Sequence, residues 1–139
     1  ERRTISLAYF EQRSTVDYMG ILQGIPICFD AKETAQRNLP VANIHPHQVE
    51  FMREFDRQGG LTFLLVHFSA GDMYYLLPFE VLNTYFDQKG EHKGAKTIPR
   101  EIFEERFRIS QHTGGIPLHY LKAVLEYCKI KQEDKRGSI

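Results

Sequence analysis

The chain has no net charge, no long apolar run and no recognisable cysteine or histidine metal pattern, and each absence narrows what it can be. Eighteen Lys and Arg balance eighteen Asp and Glu, whereas a protein that grips nucleic acid over much of its surface is usually basic. Taken over the whole chain, that balance counts against DNA binding. No apolar run approaches the ~20 residues of a membrane span, and no charged-then-apolar leader precedes a small-residue cleavage site. The expectation is a cytoplasmic protein with no membrane partner. Cys28 and Cys128 belong to no CxxC or Cys/His ligand spacing, so both read as free thiols. The six histidines show no HxxxH pair and nothing closer than His45-Pro46-His47, and no catalytic role is assigned to them.

What is present is an ordinary globular composition: 139 residues, 42% hydrophobic and 26% charged. Length and composition suit one domain over 1–139. Its organising stretch is Ser14 to Glu33, where two β-rich runs flank Gln23-Gly24, a short connection whose glycine suits a tight hairpin turn. A loop symmetric about Gln23-Gly24 sets Leu22 against Ile25 and, counting outward, Asp17 against Asp30. Opposed side chains have Cβ atoms only ~4.5–5.5 Å apart, and like charges there repel. The period of two places Asp30 and Lys32 on one face of the second strand, with Ile25, Ile27, Phe29 and Ala31 on the other. Asp17, Asp30 and Lys32 thus converge.

Two carboxylates suit a hard divalent ion, since Mg²⁺ prefers carboxylate oxygens and takes its remaining ligands from water or a substrate phosphate. An adjacent ammonium can orient an attacking water or stabilise developing negative charge, which is the equipment of phosphodiester hydrolysis. From the spacing alone an exposed salt-bridge cluster, worth under about 1 kcal/mol, is the simpler reading.

Elsewhere, Thr4 to Phe10 alternates and reads as a strand. Glu33 to Asn43, broken by Pro40, reads as a polar connector or a loop over the site. Pro46 opens a helix that Gln58-Gly59-Gly60 closes, and on it Gln48, Phe51, Met52 and Phe55 share the apolar stripe. A buried amide at Gln48 needs partners: the polar face of the hairpin, or a backbone edge. Leu61 to Phe68 reads as a strand covered on both faces, and Met73 to Leu77 as another. Pro78 to Gln88, Pro99 to Phe107 and Pro117 to Ile130 read as helices, the last with Leu118, Leu121, Leu125 and Cys128 on its stripe, and KQEDKRGSI as a frayed tail. Charge is unevenly spread: 72–87 carries only Asp72, Glu80 and Asp87, whereas 89–100 holds Lys89, Lys93, Lys96 and Arg100 against Glu91. Arg2, Arg3, Arg13, Lys32 and Arg37 add cations near the hairpin. Such segments are either solvated loops or phosphate contacts.

Asp17 followed by Asp30-Ala31-Lys32 resembles the D…(D/E)xK signature of restriction-endonuclease-like nucleases. The wider stretches AYFEQRSTVDYMG (8–20), ICFDAKET (27–34), NIHPHQVEFM (43–52) and YYLLPF (74–79) resemble the core of RecU-type Holliday junction resolvases in order and spacing. The resemblance implies an α/β fold, restriction-endonuclease-like, with a mixed central sheet of about five strands flanked by helices. It also implies a Mg²⁺-dependent endonuclease, with Mn²⁺ as a possible substitute, acting on four-way junction DNA as a homodimer and alongside the recombinase machinery. By the same resemblance Thr15, Asp17, Asp30 and Gln48 surround the metal, Asp17, Asp30 and Lys32 are catalytic, and Arg13, Lys93 and Lys96 are candidate DNA contacts. Two departures stand out. Asp30 occupies a position where these resolvases usually carry Glu, and the family's basic, partly helical N-terminal segment is not in the chain. The alternatives are a nuclease acting on ordinary duplex or flap DNA and a non-catalytic junction-binding protein of the same fold.

Overall fold

Gln23 and Gly24 both have positive φ, 51° and 84°, the backbone of a two-residue hairpin turn whose twist matches its strands. That turn organises the computed structural model, which describes residues 16–87, 91, 93–109 and 120–137. In chain order the elements are β1 (Tyr18–Leu22), β2 (Ile25–Thr34), β3 (Leu39–Pro40), α1 (Pro46–Arg57), β4 (Leu61–Phe68), β5 (Met73–Pro78), α2 (Phe79–Asn83), β6 (Thr97–Ile98), β7 (Arg108–Ile109) and α3 (Tyr120–Gly137). Leu22 faces Ile25 and Tyr18 faces Phe29, the register expected from the turn. β2 runs parallel to β4, a pairing that needs a crossover, and α1 supplies it. With β4–β5 and β5–β7 antiparallel, the five-stranded sheet is mixed, in the order β1-β2-β4-β5-β7. The fold is therefore α/β, as expected.

Alternation along the central strands divides the core in two. Cys28, Leu64, Val66 and Leu77 pack with Val49 and Met52 of α1 and with Phe79 and Leu82 of α2. Ile27, Phe29, Phe63 and Leu76 pack with Ala123, Val124 and Tyr127 of α3. Covered on both faces, β4 is apolar almost throughout. Cys28 donates to Thr62 Oγ1 at 3.1 Å, and burial pushes its thiol up to about 12, so it is an inert core group.

Several expectations are corrected. Residues 33–43 are not merely a polar connector: β2 continues to Thr34, β3 pairs with β6, and Leu39, Val41 and Ile44 are buried. The helix expected over Pro78 to Gln88 is only α2, because the chain turns after Asn83 to bury Phe86. Pro99 to Phe107 forms two single 3₁₀ turns, Arg100–Ile102 and Glu105–Phe107, and not one helix. The reason lies in the packing: Phe103 joins the α1 side of the core and Phe107 the α3 side, whereas residues four apart on a helix share one face. α3 continues through most of the expected tail, and its buried face is Ala123, Val124 and Tyr127, with Leu125 exposed. On α1 the buried set is Gln48, Val49 and Met52, with Phe51 and Phe55 half-buried, and Ala31 is exposed. The strand expected over Thr4 to Phe10 and the helix start at Pro117 lie outside the described residues. Among those residues no helix is long and apolar enough to cross a membrane.

Candidate active site

Three elements meet where β2 emerges from the core. β2 carries Asp30 and Lys32 on one face, the residue before β1 is Asp17, and the first turn of α1 carries Gln48. Asp30 is 1% exposed, so its carboxylate must be satisfied within the protein. Oδ1 accepts from the Asp17 backbone N–H at 2.9 Å. Oδ2 accepts from Gln48 Nε2 at 3.0 Å and pairs with Lys32 Nζ at 2.9 Å. Lys32 Nζ in turn donates to Gln48 Oε1 at 3.0 Å, which closes a ring of three side chains. The amide is oriented by its place on α1: Gln48 is the third residue of the helix, and its Oε1 also accepts, at 3.4 Å, from the backbone N–H of His45, the N-cap. Gln48 is thus bonded to the side chains of Asp30 and Lys32 on the hairpin.

Asp17 is exposed and completes the group from outside. Its carboxyl is held above the ordinary range, first by burial, then by a hydrogen bond to the Asp30 carboxyl and by that group's charge; Lys32 and the Ala31 N–H pull the other way and do not prevail. Two acids and one lysine leave one negative charge in excess, which adds to burial in making Asp17 hold its proton more tightly. This surplus tests the donor set for a cation. Among the described residues no group of three or more His, Cys, Asp and Glu side chains could hold a metal ion. Two carboxylates with an amide beside them fall short of the all-protein cages that Ca²⁺ uses, but they fit Mg²⁺, which binds through one or two carboxylates and retains waters.

Thr15 and Arg13 lie outside the described residues. Lys93 and Lys96 are exposed on a stretch tied at one end by Lys93 N–H to Tyr85 O, 3.0 Å, and at the other by Val41 N–H to Lys96 O, 2.9 Å. That stretch ends near the start of α1 without entering the Asp17–Asp30–Lys32–Gln48 group. His67 sits apart on β4, between Glu33 and Asp72 and stacked on Tyr74. Three supports for the group were not foreseen in the sequence: the backbone N–H groups of Asp17, Ala31 and His45. Only the HxxQ spacing, with Pro at the first helical position, hinted at the last.

A family model described as Recombination protein U matches residues 1–126. A Lactococcus lactis protein named Holliday junction resolvase RecU is 41% identical over 133 residues, covering 94% of this chain and 60% of the relative. Proteins of the same name from Limosilactobacillus reuteri and Oceanobacillus iheyensis are 43% and 40% identical over 86% of this chain, and 59% and 58% of their own lengths are covered. The chain spans about three-fifths of the length of these curated relatives. A family match over nearly all of the chain, joined by relatives at this level of identity, shows that the chain belongs to the RecU family.

Proposed function

We propose that the chain is the nuclease domain of a metal-dependent endonuclease that hydrolyses phosphodiesters at four-way DNA junctions in the cytoplasm. The observation that carries this is the buried Asp30 carboxylate joined to Lys32 and Gln48, with the acid-surplus Asp17 beside it. The choice of junctions over other DNA rests on relatives named Holliday junction resolvase.

In this reading Asp17 and Asp30 hold a Mg²⁺ or Mn²⁺ ion, with Thr15 and Gln48 beside it. Once bound, the ion supplies a water of lowered pKa and polarises the scissile phosphate. The protein's own part is positional. Asp30 fixes Lys32 by charge, Gln48 fixes it by a second bond, and the ammonium so held stabilises negative charge developing on the phosphoryl oxygens. Burial of Asp30 and Gln48 keeps bulk water from this side of the group, where the local field is stronger for it. Resolving a junction takes cuts on two strands, which one site cannot make together, so we also propose a symmetric homodimer. Arg13, Lys93 and Lys96 contact backbone phosphates, and the recombinase machinery is a further partner.

A second reading is favoured by one feature: Asp is a methylene shorter than the Glu usual at position 30, and both oxygens of Asp30 are engaged within the protein. Such a chain would bind junctions without cutting them. Titrating Mg²⁺ against a labelled four-way junction and a matched duplex separates the cases. Metal-dependent junction cleavage is expected; equal cleavage of the duplex would remove the junction specificity, and binding without cleavage at any metal concentration would favour the second reading.

A further inference from the structure

His67 follows Phe63 and Leu65 on the α3 face of β4, opposite to the face on which β2 carries Asp30 and Lys32. The proposed chemistry makes no use of it, yet each nitrogen of its ring meets an acid. Nδ1 lies 3.1 Å from Glu33 Oε1 and Nε2 lies 2.9 Å from Asp72 Oδ1. Glu33 is the residue of β2 in register with His67, and Asp72 is the last residue of the turn between β4 and β5. The ring plane is fixed by stacking on Tyr74 of β5, with centroids 4.0 Å apart and planes 8° apart. An ionised carboxylate oxygen can only accept a hydrogen bond. A neutral imidazole has one N–H, so it can donate to one of these acids while its lone pair points at the other; only the imidazolium donates to both. The arrangement is therefore that of a doubly protonated ring.

We infer that Glu33, His67 and Asp72 form a pH-operated clasp that fastens the β4–β5 turn to the end of β2, closed while the imidazole carries both protons and broken when it loses one. Because the ring sits between the two acids, opening either arm cuts the link. Both acid side chains are well exposed and can swing into water once a lone pair faces them. The surroundings offer the ring no other charge. On β2, Lys32 points to the opposite face and pairs with Asp30; on β7, Arg108 is opposite Tyr75 and pairs with Glu105; β5 presents the Tyr74 phenol. Burial alone would lower the imidazole, but hydrogen bonds and charge from Asp72 and Glu33 bring it above its ordinary 6.5. The clasp's contribution is accordingly complete below 6.5 and is lost as pH rises through the raised value. The turn is loosened and not released, since Ser69 still binds the Thr34 carbonyl through its N–H at 2.9 Å and its hydroxyl at 3.2 Å. None of this depends on the proposed function, although the strand end that loosens directly follows Lys32.

The test follows the His67 ring resonances of the full chain in metal-free buffer from about pH 5 to about pH 9, the range in which histidines titrate. Hydrogen exchange of the Ser69 and Asp72 amides, corrected for the intrinsic effect of pH, is measured alongside. The ring is expected to titrate above 6.5, and protection of the two amides to fall about 3- to 10-fold through the same midpoint as the turn opens locally. Asp72→Asn and Glu33→Gln should each bring the midpoint down. Asn accepts the positive φ of position 72, 52°, so the turn is kept; Glu33 is exposed, and its variant decides the matter should Asp72→Asn fold poorly. In His67→Gln the protection should no longer follow a titration. A midpoint at or below 6.5, or a raised one that Glu33→Gln leaves in place, would overturn the inference. So would amide protection that stays constant while the ring titrates, since the ion pairs would then exist without fastening the turn.

Discussion

Asp17, Asp30 and Lys32 at the end of β2, and Asp56, Glu80 and Lys131 where α1, α2 and α3 meet, are each a lysine set among two acids, yet they hold their charges differently. Lys131 Nζ reaches both acids, at 2.5 Å from Asp56 and 2.7 Å from Glu80, and Tyr127 donates to the other Glu80 oxygen. Burial would raise the Glu80 carboxyl, but hydrogen bonds from Lys131 and Tyr127 bring it below its ordinary value. Burial would lower Lys131, but Asp56 and Glu80 bring it above. Both charged forms are favoured, as in a structural clamp. Lys32, in contrast, is engaged by Asp30 and Gln48, and Asp17 is left with a raised carboxyl. The composition of the two groups is nearly the same, one lysine to two acids, and the wiring decides: a lysine within reach of both acids holds Glu80 and itself in their charged forms, while a lysine committed to Asp30 leaves Asp17 with a raised carboxyl.

If that contrast is real, mutation should separate the groups. Lys32→Ala and Asp17→Asn are expected to lower metal-dependent cleavage by on the order of 10²-fold or more; thermal unfolding of Asp17→Asn stays near the parent's, since Asp17 is exposed, whereas Lys32→Ala also loses stability, roughly 3–5 kcal/mol at most, because it leaves the buried Asp30 carboxylate without its cation. Gln48→Ala comes next. It strips Asp30 Oδ2 and Lys32 of a partner, so cleavage should fall more than stability, whose loss should be about 1–3 kcal/mol for a buried bond of this kind. Lys131→Met should behave in reverse: stability drops by roughly 1–2 kcal/mol, tempered by the partial exposure of the pair, and cleavage per folded molecule is unchanged. Cleavage assays paired with denaturant melts on the four variants check this; parallel losses of activity and stability throughout would dissolve the distinction between site and clamp.

The site was far more legible than the clamp. A two-residue turn with one glycine fixes hairpin register, and register alone carries Asp17 to Asp30 and puts Lys32 on the face of Asp30. Helix periodicity from Pro46 then turns Gln48 inward. These are local rules acting over at most a dozen or so residues. The clamp joins Asp56, Glu80 and Lys131 through the packing of three helices, and nothing local in sequence connects them. The same limit explains the misread C-terminal half. The expected stripe on α3 included Leu125, which is exposed, whereas the sheet selects Ala123, Val124 and Tyr127, with Cys128 packed beside them, because the space above Phe63 and Phe107 takes an aromatic ring edge-on. Likewise Phe103 and Phe107 are drawn to opposite cores, and that tertiary demand overrides whatever helical preference 99–107 has.

The smallest expected effect is on the pH dependence of stability, and it has opposite signs in the two groups. Glu80 has a folded value below its ordinary 4.5, so its contribution is present above that pH and is lost as pH falls through the lowered value. Asp17 has a folded value above its ordinary 3.8. Its contribution is complete below 3.8 and is lost as pH rises through the raised value, because the unfolded chain gives up the proton first. Melts across the acid range in metal-free buffer should therefore show Glu80→Gln flattening the acid side of the stability curve and Asp17→Asn removing a decline on its rising side. Mg²⁺ should erase that decline in the parent, since an ion that binds the ionised carboxylates of the folded chain stabilises it by mass action, and it should do nothing comparable for Asp17→Asn. A parental curve already free of the decline, or one that Asp17→Asn leaves unchanged, would show that Asp17 carries no surplus charge and that the two groups are clamps alike.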